Sequence, residues 1–296
     1  MAILNLTPDS FSDGNVHSVT DFQTLEHTVL SFIESGATII DIGGQSTRPH
    51  ATLVSSEEEA RRILPAIQCI RAMPEARKVA ISVDTFYANV AEEAVAAGAD
   101  IINDVTGGTF DPQMLRTVAR LKKTIILMHM RGTPETMNQL TQYPDGLLET
   151  VGRELADRVE AAKAAGIHPW HIILDPGIGF AKTDVQNLEL LSRLDSLRLS
   201  DRLRGYPWLV GPSRKGFIGR ITGVKQASQR GWGTAAAVTA SISGGADIVR
   251  VHDVAEIGPV VKMADAIYRV EHDPFEETAH PAEDSLGHDS GFSLSP

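Results

Sequence analysis

Residues 38–48 read TIIDIGGQSTR. Thr38–Ile42 is rich in β-branched side chains, which pack well on a pleated surface and lose rotamer freedom in a helix. The stretch from Asp41 to Arg48 is polar and glycine-rich, so a strand ends here in groups fit for chemistry. The same pattern recurs along the chain. Strands are predicted at Ala2–Leu6, Thr38–Ile42, Val79–Val83, Ile101–Ile102, Thr124–Met128, His171–Leu174, Trp208–Val210 and Ile248–Val251. Segments with helical spacing of apolar positions separate them, the alternation that implies parallel βαβ units. Ser56–Met73 is one such segment, opened by Ser55 and Ser56 with Glu58 and Glu59 three residues on, the capping-box arrangement that satisfies free backbone N–H groups. Leu147–Ala165 is another, ending at Gly166 as helices often do.

Eight strand-helix units in about 270 residues match a (β/α)8 TIM barrel, whose active sites form at the C-terminal strand ends. A doubly wound open sheet is the competing architecture. The residues after each strand favour the barrel. They begin at Asn5, Asp41, Asp84, Asn103, His129, Asp175, Gly211 and Arg250, and every set contains side chains fit for chemistry. A closed ring gathers all eight ends round one cavity, whereas an open sheet scatters them along an edge. The expected fold is α/β: one (β/α)8 barrel over residues 1–270, followed by a disordered acidic tail at 271–296.

Composition narrows the function classes. The chain has 296 residues, 42% of them hydrophobic, enough for a substantial core. Its net charge of −11 is mostly the tail, which holds seven acidic residues and no Lys or Arg. The remainder is nearly balanced, so no nucleic-acid footprint or anionic-membrane patch is indicated. No stretch approaches ~20 consecutive apolar residues, and no secretion signal opens the chain. A cytoplasmic protein is expected. The single cysteine, Cys69, cannot form an internal disulfide, and its place in a helical pattern predicts a buried core thiol.

Asp84, Asn103 and Asp175 end the third, fourth and sixth strands, where a barrel points them into its mouth. Together they could bind a divalent metal, act as acid and base, or accept hydrogen bonds from a flat heterocycle with amidine-like N–H groups. The seventh and eighth ends are cationic. Lys215 follows Gly211-Pro-Ser-Arg, while Arg250 and His252 alternate and so face the same side of their strand. Loops after strands seven and eight are a frequent phosphate site in such barrels, and Arg, His and Lys donors suit phosphate or pyrophosphate. A surface ion pair is the plainer reading of Arg214 or Lys215. Arg250 and His252 flank Val251 in an apolar strand, which favours a buried ligand or ion pair.

Asn5 offers a neutral carbonyl oxygen that could complete a magnesium shell shared with phosphate oxygens. The loops Thr7–Gly14 and Gly43–Ala51 have the length and composition of segments that close over a ligand, a solvated connection being the plainer reading of the same features. His129, between Met128 and Met130, reads as a satisfied structural histidine. The glycines of Gly231-Trp-Gly233 and Ser243-Gly-Gly245 read as turn or close-packing residues, without a phosphate-loop motif around them. CxxC, HExxH and GxSxG patterns are lacking, so zinc and nucleophile-elbow chemistry are unsupported.

LNLTPDSFSDG, DIGGQSTRP, ISVDT, INDVTGG, LMHMRGTPETM, DPGIGF, GPSRKGFIG and ADIVRVHDV, in this order, resemble the dihydropteroate synthase family from residue 1 to about 270. GGQSTRP and SRKGFIGRITG resemble the synthase domain of fungal multifunctional folate enzymes more than the free-standing bacterial protein. The resemblance implies condensation of 6-hydroxymethyl-7,8-dihydropterin pyrophosphate with 4-aminobenzoate, by a dissociative mechanism, to 7,8-dihydropteroate and pyrophosphate. It implies pterin binding by Asp84, Asn103, Val105, Met128, Asp175, Gly179, Gly211 and Lys215. Asn5, Arg250 and His252 would hold pyrophosphate with Mg²⁺, Asn5 as the metal ligand. Phe11, Asp13, Thr47, Arg48, Pro49, Phe180, Lys215 and Gly216 would form the aminobenzoate site, where sulfonamides are expected to bind. The implied catalytic set is Asp13, Thr47, Arg48, Lys215, Arg250 and His252.

The sequence departs from the family pattern in places. Gln45 replaces a common Glu, Arg131 a common Gln, and Gly216 a frequent Ser. The residues that precede the first strand in the family are missing or reduced, so that strand is expected to be truncated. A pterin-dependent methyltransferase is the nearest enzymatic alternative, but it does not need Arg250, His252 or the SFSDG and STRP loops. An inactive scaffold domain of a folate polypeptide is the non-enzymatic alternative, disfavoured by the intact site. The resemblance also implies a homodimer, and in fungi such domains can belong to mitochondrial polypeptides.

Overall fold

A computed structural model describes residues 1–6, 22–45, 53–133 and 135–269. The strands are β1 (Ala2–Asn5), β2 (Ile39–Gly43), β3 (Ala80–Asp84), β4 (Ile101–Asp104), β5 (Thr124–Met128), β6 (Ile172–Asp175), β7 (Leu209–Val210) and β8 (Ile248–Val249). The helices, each between or after these strands, are α1 (Phe22–Glu34), α2 (Ser56–Ala72), α3 (Ala88–Ala97), α4 (Met114–Leu121), α5 (Leu147–Ala164), α6 (Asp184–Ser192), α7 (Leu194–Arg198), α8 (Gly216–Thr222), α9 (Gly231–Ser243) and α10 (Val254–Tyr268).

β1 to β6 pair in chain order as a parallel sheet, and β7 pairs with β8. Two junctions close the ring. Between β6 and β7, Leu174 bridges Trp208 and the Leu174 N–H donates to the Pro207 carbonyl at 2.9 Å. Between β8 and β1, Ala2 bridges Val251; the Ile3 N–H donates to the Val251 carbonyl at 2.9 Å and the Val251 N–H to the Met1 carbonyl at 3.0 Å. The eight-stranded barrel read from the sequence is present, and the open sheet is excluded.

Alternation along each strand sorts its side chains. Outward residues such as Ile40, Ile42, Ile81, Val83, Ile102, Ile125, Leu127, Ile172 and Leu174 pack under the helices in the main core. Ile101, Ile126, Ile173 and Leu209, with Ile39, Ala80, Ile248 and Met1 against them, fill the lower interior as a separate apolar layer. The barrel is therefore plugged below and polar at its C-terminal mouth.

The predicted bounds shift by a few residues, each for a local reason. β4 continues past Ile102 to Asp104, because pairing with β5 carries on through Asn103 and Asp104. β6 begins after His171, which lies in a short 3-10 turn opened by Pro169. β8 is regular only to Val249, since Val251 turns to bridge β1. At α2 the Ser55 hydroxyl accepts from the Glu58 N–H at 3.3 Å, but the Glu58 carboxylate pairs with Arg61 and Arg62 instead of returning to the cap. A reciprocal capping box occurs at α6, between Thr183 and Gln186. Gly231 and Gly233 open α9 instead of forming a turn, and a Cβ on Gly233 would lie 2.3 Å from the Ile218 side chain, which explains the glycine.

Cys69 corrects the expectation of a buried thiol. It is half-buried on α2, its Sγ 3.9 Å from Glu26 Oε1 of α1, and partial burial, then this carboxylate, push the thiol pKa up.

Ile102 is fully buried on β4 under the helices. Ile102→Ala removes that contact and leaves a cavity that close-packed neighbours fill poorly, at a cost of ~2–5 kcal/mol. Urea unfolding is expected to show a lower midpoint of that size with an unchanged slope.

Candidate active site

Parallel register places the site's first row. Asn5, Gly43, Asp84 and Asn103 are successive Cα partners across β1 to β4, and Met128 is paired with Asp175 across β5 and β6. Gly43 leaves room between its neighbours: a Cβ there would stand 3.5 Å from Asn5 Oδ1 and 3.8 Å from Asp84 Oδ2. The side chains that the sequence assigned to separate strand ends thus share one mouth.

The tightest feature of this mouth is Arg250, which crosses from the β8 end to two carboxylates. Its Nε donates to Asp41 Oδ2 at 2.6 Å and its Nη2 to Asp84 Oδ2 at 2.9 Å. Asp41 Oδ2 also accepts from the Asn103 amide at 3.1 Å, while Asp41 Oδ1 is buried without a partner. Burial pushes the Asp84 carboxyl above its usual range and Arg250 opposes that shift. The guanidinium in contact favours the ionised form of Asp84. Removing one partner of such a buried pair costs ~3–5 kcal/mol, because the other charge is left uncompensated.

Across the mouth, Lys215 Nζ lies 4.1 Å from the centroid of the Phe180 ring, a cation–π contact. Gly179 supplies the space below it, since a Cβ there would lie 3.0 Å from Lys215 Cδ, and its φ of +83° suits glycine. Burial, then the nearby Arg250, bring the Lys215 pKa down to about 8. Asp175 Oδ1 accepts the Gly177 N–H at 2.7 Å, yet burial dominates and raises its pKa to about 6. Phe86, Val105, Met128, Met130, Met137, Phe180 and Ala181 form an apolar cluster of their own, distinct from the main core, that walls the mouth. A flat ring that donates N–H groups along one edge matches acids on one side and this wall on the other.

His252 Nδ1 is 3.0 Å from the Ser213 hydroxyl, which also accepts the His252 N–H at 3.2 Å, so the β7 loop positions the imidazole. Gly211 lies beside Arg250, a Cβ there being 3.7 Å from Arg250 Cβ. Arg214 is the structural ion pair that the plainer reading foresaw: it forks onto Asp253, with Nε donating at 2.9 Å. Asn5 fits magnesium on donor chemistry. Its side chain accepts no hydrogen bond among the described residues and offers one neutral oxygen, matching an ion that takes few protein ligands and keeps waters.

His129 is structural, as expected. It is fully buried, its Nε2 pairing with Glu154 at 2.8 Å and its Nδ1 with Lys182 Nζ at 2.9 Å; burial and Lys182 push its pKa down to about 3. Arg131, where the family pattern has Gln, joins Glu154 and stacks over Tyr143 at 4.3 Å. Gly216 lies against Arg220, so a serine there would press on a side chain that pairs with Asp184. Phe11, Asp13, Thr47, Arg48 and Pro49, with the loops 7–21 and 46–52, lie outside the described residues, as does the tail from 270. Phe86 escaped the sequence reading, and Asp41 was read there only as part of a polar strand end, with no role of its own. Asp41 had a signal, a lone charge inside a β-branched run that must find a partner when buried. Phe86 had none, because it follows the Asp84-Thr85 strand end and reads as loop.

Comparison with known proteins gives consistent findings. The family described as pterin binding enzyme matches residues 1–252. A folic acid synthesis protein fol1 of Pneumocystis carinii is 52% identical over 91% of this chain, which spans 36% of that protein. A dihydropteroate synthase of Synechocystis is 49% identical, covering 91% of this chain and 90% of its own length. The Xanthomonas albilineans dihydropteroate synthase solved with 4-aminobenzoic acid superposes with a TM-score of 0.80 at 41% identity, covering 91% of this chain and 93% of that one.

The raised Asp175 pKa has a consequence for stability. A carboxyl whose folded pKa, about 6, exceeds its unfolded value is a net cost wherever it is ionised, and that cost fades as pH falls through 6 towards 4. Asp175→Asn removes the buried charge. It is expected to raise the unfolding temperature at pH 8 and to lose most of that gain by pH 4, as read by calorimetry across this range.

Proposed function

The chain belongs to the pterin binding enzyme family, and on that premise we propose that it condenses 6-hydroxymethyl-7,8-dihydropterin pyrophosphate with 4-aminobenzoate, giving 7,8-dihydropteroate and pyrophosphate. It is a dihydropteroate synthase of folate biosynthesis in this reading. The observation that carries it is the gathering of the buried acceptors Asp84 and Asp175 and the cations Arg250 and Lys215, with Arg250 paired to Asp84, in one mouth walled by Met128, Val105 and Phe86.

Asp84, Asn103 and Asp175 receive the N–H edge of the pterin, and Lys215 meets its acceptor side. Val105 and Met128 support the ring's face, while Gly179 and Gly211 leave it room. Arg250 and His252 hold the pyrophosphate. The pterin C–O bond breaks first; negative charge grows on the leaving pyrophosphate and positive charge on the pterin methylene carbon. Arg250 stabilises the former and the buried carboxylates the latter, from positions set before the reaction. Mg²⁺, held through Asn5 when bound, supplies further charge neutralisation on the leaving group. The amine of 4-aminobenzoate then attacks the carbon, over Phe180 and beside Lys215 and Gly216. Phe11, Asp13, Thr47, Arg48 and Pro49 complete that subsite and exclude water. Sulfonamides, which copy the aminobenzoate shape, bind there.

A homodimer is proposed as well. Trp232 on α9 and Met263, Ile267 and Tyr268 on α10 are exposed apolar side chains on packed neighbouring helices. Among the described residues no helix is long and apolar enough to cross a membrane, and a cytoplasmic location is part of the proposal.

Purified protein given both substrates and Mg²⁺ is expected to release dihydropteroate and pyrophosphate one for one, as measured by mass spectrometry. Lys215→Ala in a folded protein should lower kcat/KM by roughly 100-fold or more, as loss of a fixed charge in such a site does. Pterin binding needs Asp175 ionised and Lys215 protonated. KM for the pterin substrate should therefore rise below pH about 6 and above pH about 8. Folded wild-type protein that makes no dihydropteroate under these conditions would remove the proposal.

A further inference from the structure

Three of the mouth's ligand-facing groups are tied together before any ligand arrives. Arg250 donates to Asp41 through Nε and to Asp84 through Nη2, and the Asn103 amide donates to the same Asp41 oxygen as Arg250 Nε. Asp41 itself lies one step down its strand, its Cα paired with Ile3 and Ser82 below the row of Asn5, Gly43, Asp84 and Asn103. It is fully buried, and its other oxygen has no partner, so among the described residues its hydrogen bonds go to Arg250 and Asn103.

This arrangement has a geometric consequence. With its amide nitrogen committed to Asp41, Asn103 keeps its carbonyl oxygen as an acceptor. A ring that donates N–H to Asp84 competes with Arg250 Nη2 for that carboxylate. It does not compete for Asp41. Displacing Nη2 from Asp84 therefore leaves the guanidinium hinged on Asp41 through Nε, with its outer edge freed for an anion.

We propose that Asp41 is the positioning residue of the site: it orients the Asn103 amide and retains Arg250 while the pterin ring takes Asp84, so that ring binding arms Arg250 for the pyrophosphate. This rests on the pterin reading above, and it makes the ring and the anion cooperative ligands. The free protein binds pyrophosphate weakly because Arg250 is held by two carboxylates, and binds it more tightly once the ring is in place.

The first test uses the wild-type chain and needs no turnover. Calorimetric titration with pyrophosphate and Mg²⁺, without and with saturating 6-hydroxymethylpterin, is expected to show affinity rising about tenfold in the presence of the ring. A crystal structure with 6-hydroxymethylpterin should show Arg250 Nε still on Asp41 and Nη2 off Asp84. Equal pyrophosphate affinity in both titrations, or Arg250 still on Asp84 with the ring bound, overturns the proposal. Failure of the ring to bind at all would instead count against the pterin reading itself.

The second test is a double-mutant cycle. Asp41→Asn should raise KM for dihydropterin pyrophosphate and lower kcat, together about 10- to 100-fold, the loss usual when a group that orients a contacting residue is removed. KM for 4-aminobenzoate should stay unchanged. Because Asp41 acts through both Arg250 and Asn103, Asp41→Asn combined with Arg250→Lys should cost clearly less than the sum of the two single losses. Fully additive losses, or an equal rise in both KM values, would show a merely structural role.

Discussion

The seam between β8 and β1 is the constraint on which the site depends. A few backbone hydrogen bonds join Val251 to Met1 and Ile3, and with them a row of strands becomes a ring. Arg250 lies one residue from that seam, 209 positions along the chain from Asp41 and 166 from Asp84. In an open sheet β8 and β2 would be far apart, and the guanidinium could not reach either acid. Closure thus converts sequence-distant charges into neighbours, and the apolar plug beneath them keeps water from entering below.

Burial then makes these neighbours expensive to maintain. Asp175 and Lys215 are both shifted towards neutrality by desolvation, and so is Asp84, a shift that Arg250 and then Lys215 oppose. A mouth built for stability alone would carry apolar residues here. Instead the protein keeps charges in fixed places whose mutual attraction is incomplete, as the unpartnered Asp41 oxygen shows. Incomplete pairing is what a ligand with its own donors and anionic groups can complete. The helices and the outward strand residues supply the stability against which this cost is set.

Much of this was legible in the sequence because two periods carry it. Alternation in Ile-Ile-Asp-Ile-Gly or Ile-Ser-Val-Asp states which residues face the interior, and repetition of a β-branched run ending in polar groups states how many strands converge. Asp84, Asn103, Asp175 and Arg250 were therefore placed at one mouth from residue order alone. Partner choice was not legible. Whether Arg250 meets a phosphate, Asp84 or Asp41 depends on ring closure and strand register, which local sequence does not encode. Phe86 shows the complementary limit: its burial and its packing against Phe110, with ring centroids 4.5 Å apart, come from tertiary contact across two loops. Cys69 failed for a similar reason, since helical spacing marks a face but not the depth at which that face is covered.

Gln45 extends the electrostatic argument to the second loop. Its Nε2 donates to Glu59 Oε2 at 3.1 Å and its Oε1 accepts the Val54 N–H at 2.9 Å, so one side chain ties β2's exit to the residues entering α2. Glu59 is buried, and burial raises its pKa to about 7. A glutamate at 45, common in the family pattern, would set a second carboxyl against Glu59 without an N–H to offer. One of the two would then have to carry a proton to bridge them, whereas the amide donates whatever the protonation state of Glu59. The Gln45 substitution therefore preserves the anchor at both ends of the loop 46–52 while releasing it from the protonation that a carboxyl pair requires.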